Sequence, residues 1–297
     1  LWEEGNAPAV TEYTVNNGSY SDDPDFRPYL TTFPVPEGTA VKGAVLICPG
    51  GAYERCSVRE GEPVALKFME KGCQCFVLDY SVAPVRFPAA LRQLAMAVAW
   101  VREHAADWDI DPQRIFVCGF SAGGHLAASL GVFWNRPFVC EHLGLKKESI
   151  RPDGLILSYP VICAGGFAHE GSMVNLGIRE RLELDEGEQV QQIEGEELTE
   201  LFSLEKQVHG QVPPAFLWHT QSDGSVPVEN SLLFSMALKA AGVPFELHVF
   251  PEGRHGLSLA DRETDKEGEV GYVVPCCQIW PELAWRWMNP VDFKRQS

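Results

Sequence analysis

Basic residues are scarce in this chain. Lysine and arginine number 24 against 41 aspartates and glutamates, a formal net charge of −17. So few cations suit neither a phosphate backbone nor an anionic lipid surface, so nucleic acid and membrane are excluded as expected partners. Polyanionic substrates are disfavoured for the same reason, whereas neutral ones such as acylated sugars are not. No apolar run approaches the ~18 residues a membrane-crossing helix needs, and no signal-peptide pattern is visible. Internal repeats and long low-complexity tracts are missing. Of the nine cysteines, Cys73-x-Cys75 and Cys276-Cys277 lack the spacing and the matching second pair of a zinc site, so no metal is expected. Nine is odd, so at least one thiol is unpaired within the chain. Cys48, Cys75 and Cys118 sit in apolar runs, where a free thiol acts as a small hydrophobe. Reduced thiols point to a cytoplasmic protein, with a leader removed ahead of Leu1 left open. The oligomeric state is not fixed either, and a homo-oligomer stays open.

What the chain does have is a strand, a glycine-flanked serine and a helix in succession. Arg114–Cys118 is apolar and strand-like, Gly119-Phe120-Ser121-Ala122-Gly123 follows, and Gly124–Leu130 reads as a helix. In that context G-x-S-x-G describes a sharp turn that exposes a serine hydroxyl. The glycines keep side chains out of a tight turn that packs strand on helix.

The 297 residues are read as one α/β domain with a mostly parallel central sheet and helices on both faces. Nearly continuous apolar runs at Gly43–Cys48, Cys75–Tyr80 and Gly154–Tyr159 suit strands buried on both faces. Ala215–Thr220 and Phe245–Phe250 follow as later strands, and Tyr29–Pro36 as an edge strand ended by prolines. Helices are predicted over Glu62–Lys71, Pro88–Asp107 and about Cys277–Met288, with another ahead of Phe245. Residues 1–25 are polar and read as an arm or edge strand. Residues 163–210 interrupt the alternation with an acidic insertion placed above the sheet's carboxyl edge. It is either a solvated, partly helical excursion or a small cap over the substrate pocket.

A serine hydroxyl needs a base to take its proton, and histidine has the suitable pKa. Of eight histidines, His255 is favoured, because Pro251–Gly256 is a glycine-rich loop directly after the last strand. His219 reads as a structural histidine in its strand, and His125 packs or caps on the helix after Ser121. His104, His142, His169 and His209 have no supporting context. The acid that fixes the imidazole's tautomer is expected to be Asp223, just beyond the Ala215–Thr220 strand. The order Ser121, Asp223, His255 is the chain order of α/β-hydrolase triads. An oxyanion hole needs preorganised amide donors. Ala122 is one candidate, and the Pro49-Gly50-Gly51-Ala52-Tyr53 loop offers Gly51 and Ala52, with the choice between them open. Tyr53, Trp134 and Trp218 are aromatic faces for a sugar ring, although core packing suits Trp218 better.

These strings together resemble the α/β-hydrolase superfamily over about Val41 to Trp287. They are most similar to its bacterial esterase/lipase-like group, which includes carbohydrate acetyl esterases such as acetylxylan esterases. The resemblance rests on Cys48–Tyr53, Glu60-Gly61-Glu62-Pro63, Gly119–Ala127, Ser222–Val228 and Gly253–Leu257. It departs at Pro49, which stands where related enzymes often have the histidine of His-Gly-Gly. The resemblance implies a serine esterase that removes short acyl groups, acetyl foremost, from a small or oligosaccharide ester and needs no cofactor. Two other readings stand beside it: an amide hydrolase of arylformamidase or peptidase type with the same triad, and a non-catalytic binding protein.

Overall fold

The structure is a computed structural model and describes residues 27–187, 189–266 and 269–290. The arm expected over residues 1–25 lies outside the described residues. Strands β1 (Tyr29–Phe33), β2 (Gly43–Cys48), β3 (Cys73–Asp79), β4 (Ile115–Phe120), β5 (Gly154–Ser158), β8 (Ala215–Thr220) and β9 (Phe245–Phe250) form one sheet. Its spatial order is β1-β3-β2-β4-β5-β8-β9. The antiparallel β1–β3 pair lies at one edge, and every other pairing is parallel. The chain therefore has the mostly parallel sheet of an α/β-hydrolase fold. Strands β2 to β5 and β8 are buried along their whole length, as their apolar runs require when helices cover both faces.

Alternation along β2 divides the core. Ala44, Leu46 and Cys48 face one apolar cluster, packed by α2 (Ala89–Glu103), α3 (Ala122–Phe133) and α8 (Glu229–Ala240). Val45 and Ile47 face the other, closed by α1 (Glu62–Met69) and α9 (Trp280–Met288). In that second layer Trp218 stacks on Trp280, with ring centroids 5.4 Å apart. Helix α9 is shorter at its start than the sequence suggests. The chain turns over Pro275–Ile279 before Trp280, and Pro281 occupies the first helical turn, where a missing N–H costs nothing.

Between β5 and β8, residues 163–210 form two different pieces. The first carries α6 (Glu170–Leu176). The second is a hairpin of β6 (Arg181–Glu186) and β7 (Gln189–Glu194), followed by α7 (Glu196–Phe202). Glu183 and Glu194 are exposed on the hairpin, while Leu182, Leu184 and Ile193 are buried in the α2–α3 cluster. The hairpin packs beside α4 (Pro137–Cys140), where Arg136 pairs with Glu186. The hairpin is a finding beyond the sequence reading, since an acidic, polar stretch masks its few inward positions.

Candidate active site

Ser121 stands where β4 gives way to α3. Its backbone has φ 53° and ψ −118°, a conformation that costs a non-glycine residue ~1–3 kcal/mol and persists only under constraint. The constraints are visible. The Ser121 N–H donates to the Ser158 carbonyl at 3.0 Å, and the Ser121 carbonyl accepts from Val161 N at 3.0 Å and His125 N at 3.1 Å. The flanking glycines have no room for a side chain. A Cβ on Gly119 would lie 2.2 Å from the Gly123 carbonyl oxygen, and one on Gly123 would lie 2.1 Å from that of Cys48.

The loops after β8 and β9 bring two more side chains to this point. His255 Nε2 is 2.8 Å from Ser121 Oγ, and His255 Nδ1 is 2.6 Å from Asp223 Oδ2. A carboxylate only accepts, so Nδ1 carries the proton and the Nε2 lone pair is free to accept from the serine hydroxyl. The Asp223 side chain is fully buried. Its Oδ1 accepts from the Ser225 and Val226 amides, each at 2.9 Å, and Oδ2 also lies 3.4 Å from His219 Nε2. Burial opposes its charge, yet hydrogen bonds from His219, His255 and the Val226 amide outweigh it and hold the carboxyl well below the usual carboxylate range. His219 is structural, as its strand position suggests. Its Nδ1 meets Ser231 Oγ at 2.8 Å, and its Nε2 meets the Val226 carbonyl at 3.0 Å.

The loop after β2 faces the serine from the other side. Gly51, Ala52 and Tyr53 all have positive φ, at 127°, 59° and 55°, and a Cβ on Gly51 would lie 2.2 Å from the Arg55 carbonyl oxygen. The Gly50 amide is occupied, donating to Glu60 Oε2 at 2.8 Å. The Gly51, Ala52 and Ala122 amides make no hydrogen bond to any described residue, which leaves them able to donate to a ligand oxygen. The loop is braced from behind. Glu60 is buried and takes a second hydrogen bond, from Tyr159 Oη at 2.7 Å, and the Ser258 amide donates to that same phenol oxygen at 2.8 Å. Burial first, then the neighbouring Glu60, raises the Tyr159 pKa well above the phenol range, so it stays a donor. Its ring packs edge-on against His255, centroids 5.1 Å apart. Glu60 therefore links the β2 loop to the loop carrying His255. In the sequence Glu60 carries no sign of this role, because nothing local reveals that a surface-type residue turns inward.

These groups open on a cleft of about 500 Å³ lined by Gly51, Ala52, Ser121, Ser225, His255 and His169 among others. His169, passed over in the sequence, comes from the start of α6. The expected aromatic faces do not reach the cleft wall. Tyr53 is buried, with its hydroxyl 3.0 Å from His125 Nδ1. Trp134 is buried at the end of α3 beneath the guanidinium of Arg151. Both are core side chains, because the turns that hold their backbones send the rings inward. His125 packs, as its position on the helix suggests, and its Nε2 meets the Phe202 carbonyl at 3.1 Å. Among the described residues no group of three or more potential ligands could hold a metal, and no helix is long and apolar enough to cross a membrane. All nine cysteines are free, and only Cys276 is exposed.

The arrangement can activate an alcohol oxygen and stabilise an anion beside it. Comparison with known proteins leads the same way. A crystal structure of an acetyl ester-xyloside bifunctional hydrolase from Caldicellulosiruptor lactoaceticus is 37% identical, with 94% of each chain covered and a TM-score of 0.74. A carboxylesterase from Lactobacillus plantarum is 30% identical, covering 89% of this chain and 92% of that one, also with a TM-score of 0.74. Endo-1,4-beta-xylanase B of Butyrivibrio fibrisolvens is 37% identical over 273 residues, 89% of this chain and 38% of that protein. The acetylxylan esterase of Xylanibacter ruminicola is 28% identical over 229 residues, 75% of this chain and 42% of that protein. The chain thus spans less than half the length of these two curated relatives. The BD-FAE family profile matches residues 34–238, and the chain belongs to this family of α/β-hydrolases, among the carboxylesterase-type serine hydrolases.

Proposed function

We propose that the chain hydrolyses carboxylic esters, removing short acyl groups, acetyl foremost, from carbohydrates or other small alcohols. One observation carries the reading: the hydrogen-bonded chain Ser121–His255–Asp223 beside three uncommitted amides. In this mechanism Ser121 Oγ attacks the ester carbonyl carbon while His255 Nε2 takes its proton. The carbonyl π pair moves to oxygen, where the Ala122 amide and one or both of Gly51 and Ala52 receive it. Asp223 holds the imidazole in its tautomer and stabilises the imidazolium. Collapse breaks the bond to the alcohol oxygen, which takes the proton from His255. Water then attacks the acyl-enzyme by the same route, releases the acid and restores the serine.

The preference for acetylated carbohydrate rests on relatives described as an acetylxylan esterase and an acetyl ester-xyloside hydrolase. The cleft is lined by Ser225, His169 and His255 beside its glycines, a polar wall that suits small polar esters. The test pairs acid release with active-site labelling. Acetylated xylo-oligosaccharides should yield acetate, and an organophosphate ester should add its mass at Ser121. Ser121→Ala should lose both, with kcat down ~10⁴-fold or more. Near-wild-type turnover by that variant would refute the proposal, and release of amine from formyl-amides without acid from esters would favour the amide-hydrolase reading.

A further inference from the structure

His169 lies outside the Ser121–His255–Asp223 chain, yet it lines the same cleft. It caps α6, and its Nδ1 accepts the Ser172 amide at 3.2 Å with Ser172 Oγ at 2.9 Å. A backbone amide can only donate, so Nδ1 must carry the lone pair and the neutral ring must hold its proton on Nε2. That Nε2–H has no partner among the described residues. The ring is parallel to that of His255 within 15°, with centroids 6.5 Å apart. Burial, then the nearby His255, lowers the His169 pKa, while Asp223 acts weakly the other way. Burial and His255 both favour the neutral ring that the Ser172 amide already requires. The first piece of the insertion thus presents a fixed, uncharged hydrogen-bond donor beside the imidazole that protonates the departing alcohol.

We propose that His169 Nε2–H binds an oxygen adjacent to the acylated one, so that the site selects esters of polyols over esters of simple alcohols. This rests on the esterase reading above and sharpens its substrate class. An alcohol oxygen leaving toward His255 brings its neighbouring substituent toward the His169 ring. A vicinal hydroxyl or ring oxygen there completes the donor, whereas an alkyl chain leaves it unpaired in a partly desolvated cleft. Leaving a donor unsatisfied is the larger part of such discrimination.

The test compares kcat/KM for glycerol monoacetate and for propyl acetate in the wild type, His169→Asn and His169→Leu. Asparagine preserves the helix cap, since its side-chain oxygen accepts the same amide, but it is too short to replace the Nε2 donor. The ratio of polyol to simple ester should fall about tenfold in both variants. Leucine should also lower Tm through the lost cap, and asparagine should not. If both esters lose activity in proportion, His169 is only a structural cap and the proposal is overturned. If the wild type hydrolyses neither ester, the esterase reading fails instead, which is a separate result.

Discussion

Ser121 and its glycines show how little latitude the turn has. The Ser121 backbone is strained, and two neighbours are glycine because a single added carbon would enter a carbonyl. Gly123 is the more demanding of the two, since its Cβ would lie 2.1 Å from the Cys48 oxygen and 2.4 Å from the Pro49 oxygen. Both contacts are backbone, so no side chain can swing away. The strand β2 exit, which leads into the Gly51–Ala52 loop, would have to move. Gly123→Ala is therefore expected to cost ~3 kcal/mol or more in urea unfolding and to cripple turnover in whatever folds. Gly166→Ala is the matched control, because nothing lies within 4 Å of its Cβ and its φ is not positive. It should fall within about 0.5 kcal/mol of the wild type. Equal costs for the two variants would show that the close approach at Gly123 does not constrain the chain.

The elements that deliver Ser121, Asp223 and His255 are legible in the sequence. Each side chain follows its own apolar run, and parallel strands put their carboxyl ends along one edge. The supports are not legible, because they are long-range. Glu60 is 10 residues from Gly50 but 99 from Tyr159, and no periodicity marks a carboxylate that turns inward. The hairpin β6–β7 is hidden for a related reason, since its inward positions amount to Leu182, Leu184 and Ile193 among charged neighbours. Glu60 also makes a prediction at this scale. Both its oxygens accept, one from the Gly50 amide and one from Tyr159. Glu60→Gln turns one acceptor into a donor, so either the Gly50 amide meets a donor or the Tyr159 hydroxyl loses its acceptor, a cost of ~1–3 kcal/mol. If the β2 loop is held for the transition state, kcat should fall about tenfold or more while KM shifts less than threefold. An equal loss through KM alone would mean that the loop position matters for binding and not for the chemical step.

At the scale of the whole molecule, an acidic chain gains protons readily as pH falls, and the question is which buried group opposes that first. His125 is fully buried between the β2 loop and the insertion, held by Tyr53 Oη and the Phe202 carbonyl. Burial lowers its pKa from 6.5 to about 4, partly offset by the Phe202 carbonyl. Between those values the unfolded chain binds a proton that the native protein refuses. Stability then rises with pH across the window, is complete above about 6.5 and declines as pH falls toward 4. At about 1.4 kcal/mol per pKa unit, the loss is on the order of 3 kcal/mol, a large part of a typical domain's stability. Asp223 acts lower down. Its depressed pKa stabilises the native state above the unfolded carboxylate range near 4, and that contribution drains away only below it. The two groups are therefore separable by pH. Replacing His125 with glutamine supplies an oxygen for Tyr53 and an amide for Phe202 without a titrating ring. Urea unfolding of His125→Gln between pH 7 and pH 4.5 should show a markedly flatter stability profile than the wild type, even if its stability at pH 7 is lower. Parallel profiles for the two proteins would mean that the acid sensitivity arises elsewhere and that His125 does not stay neutral in the folded chain.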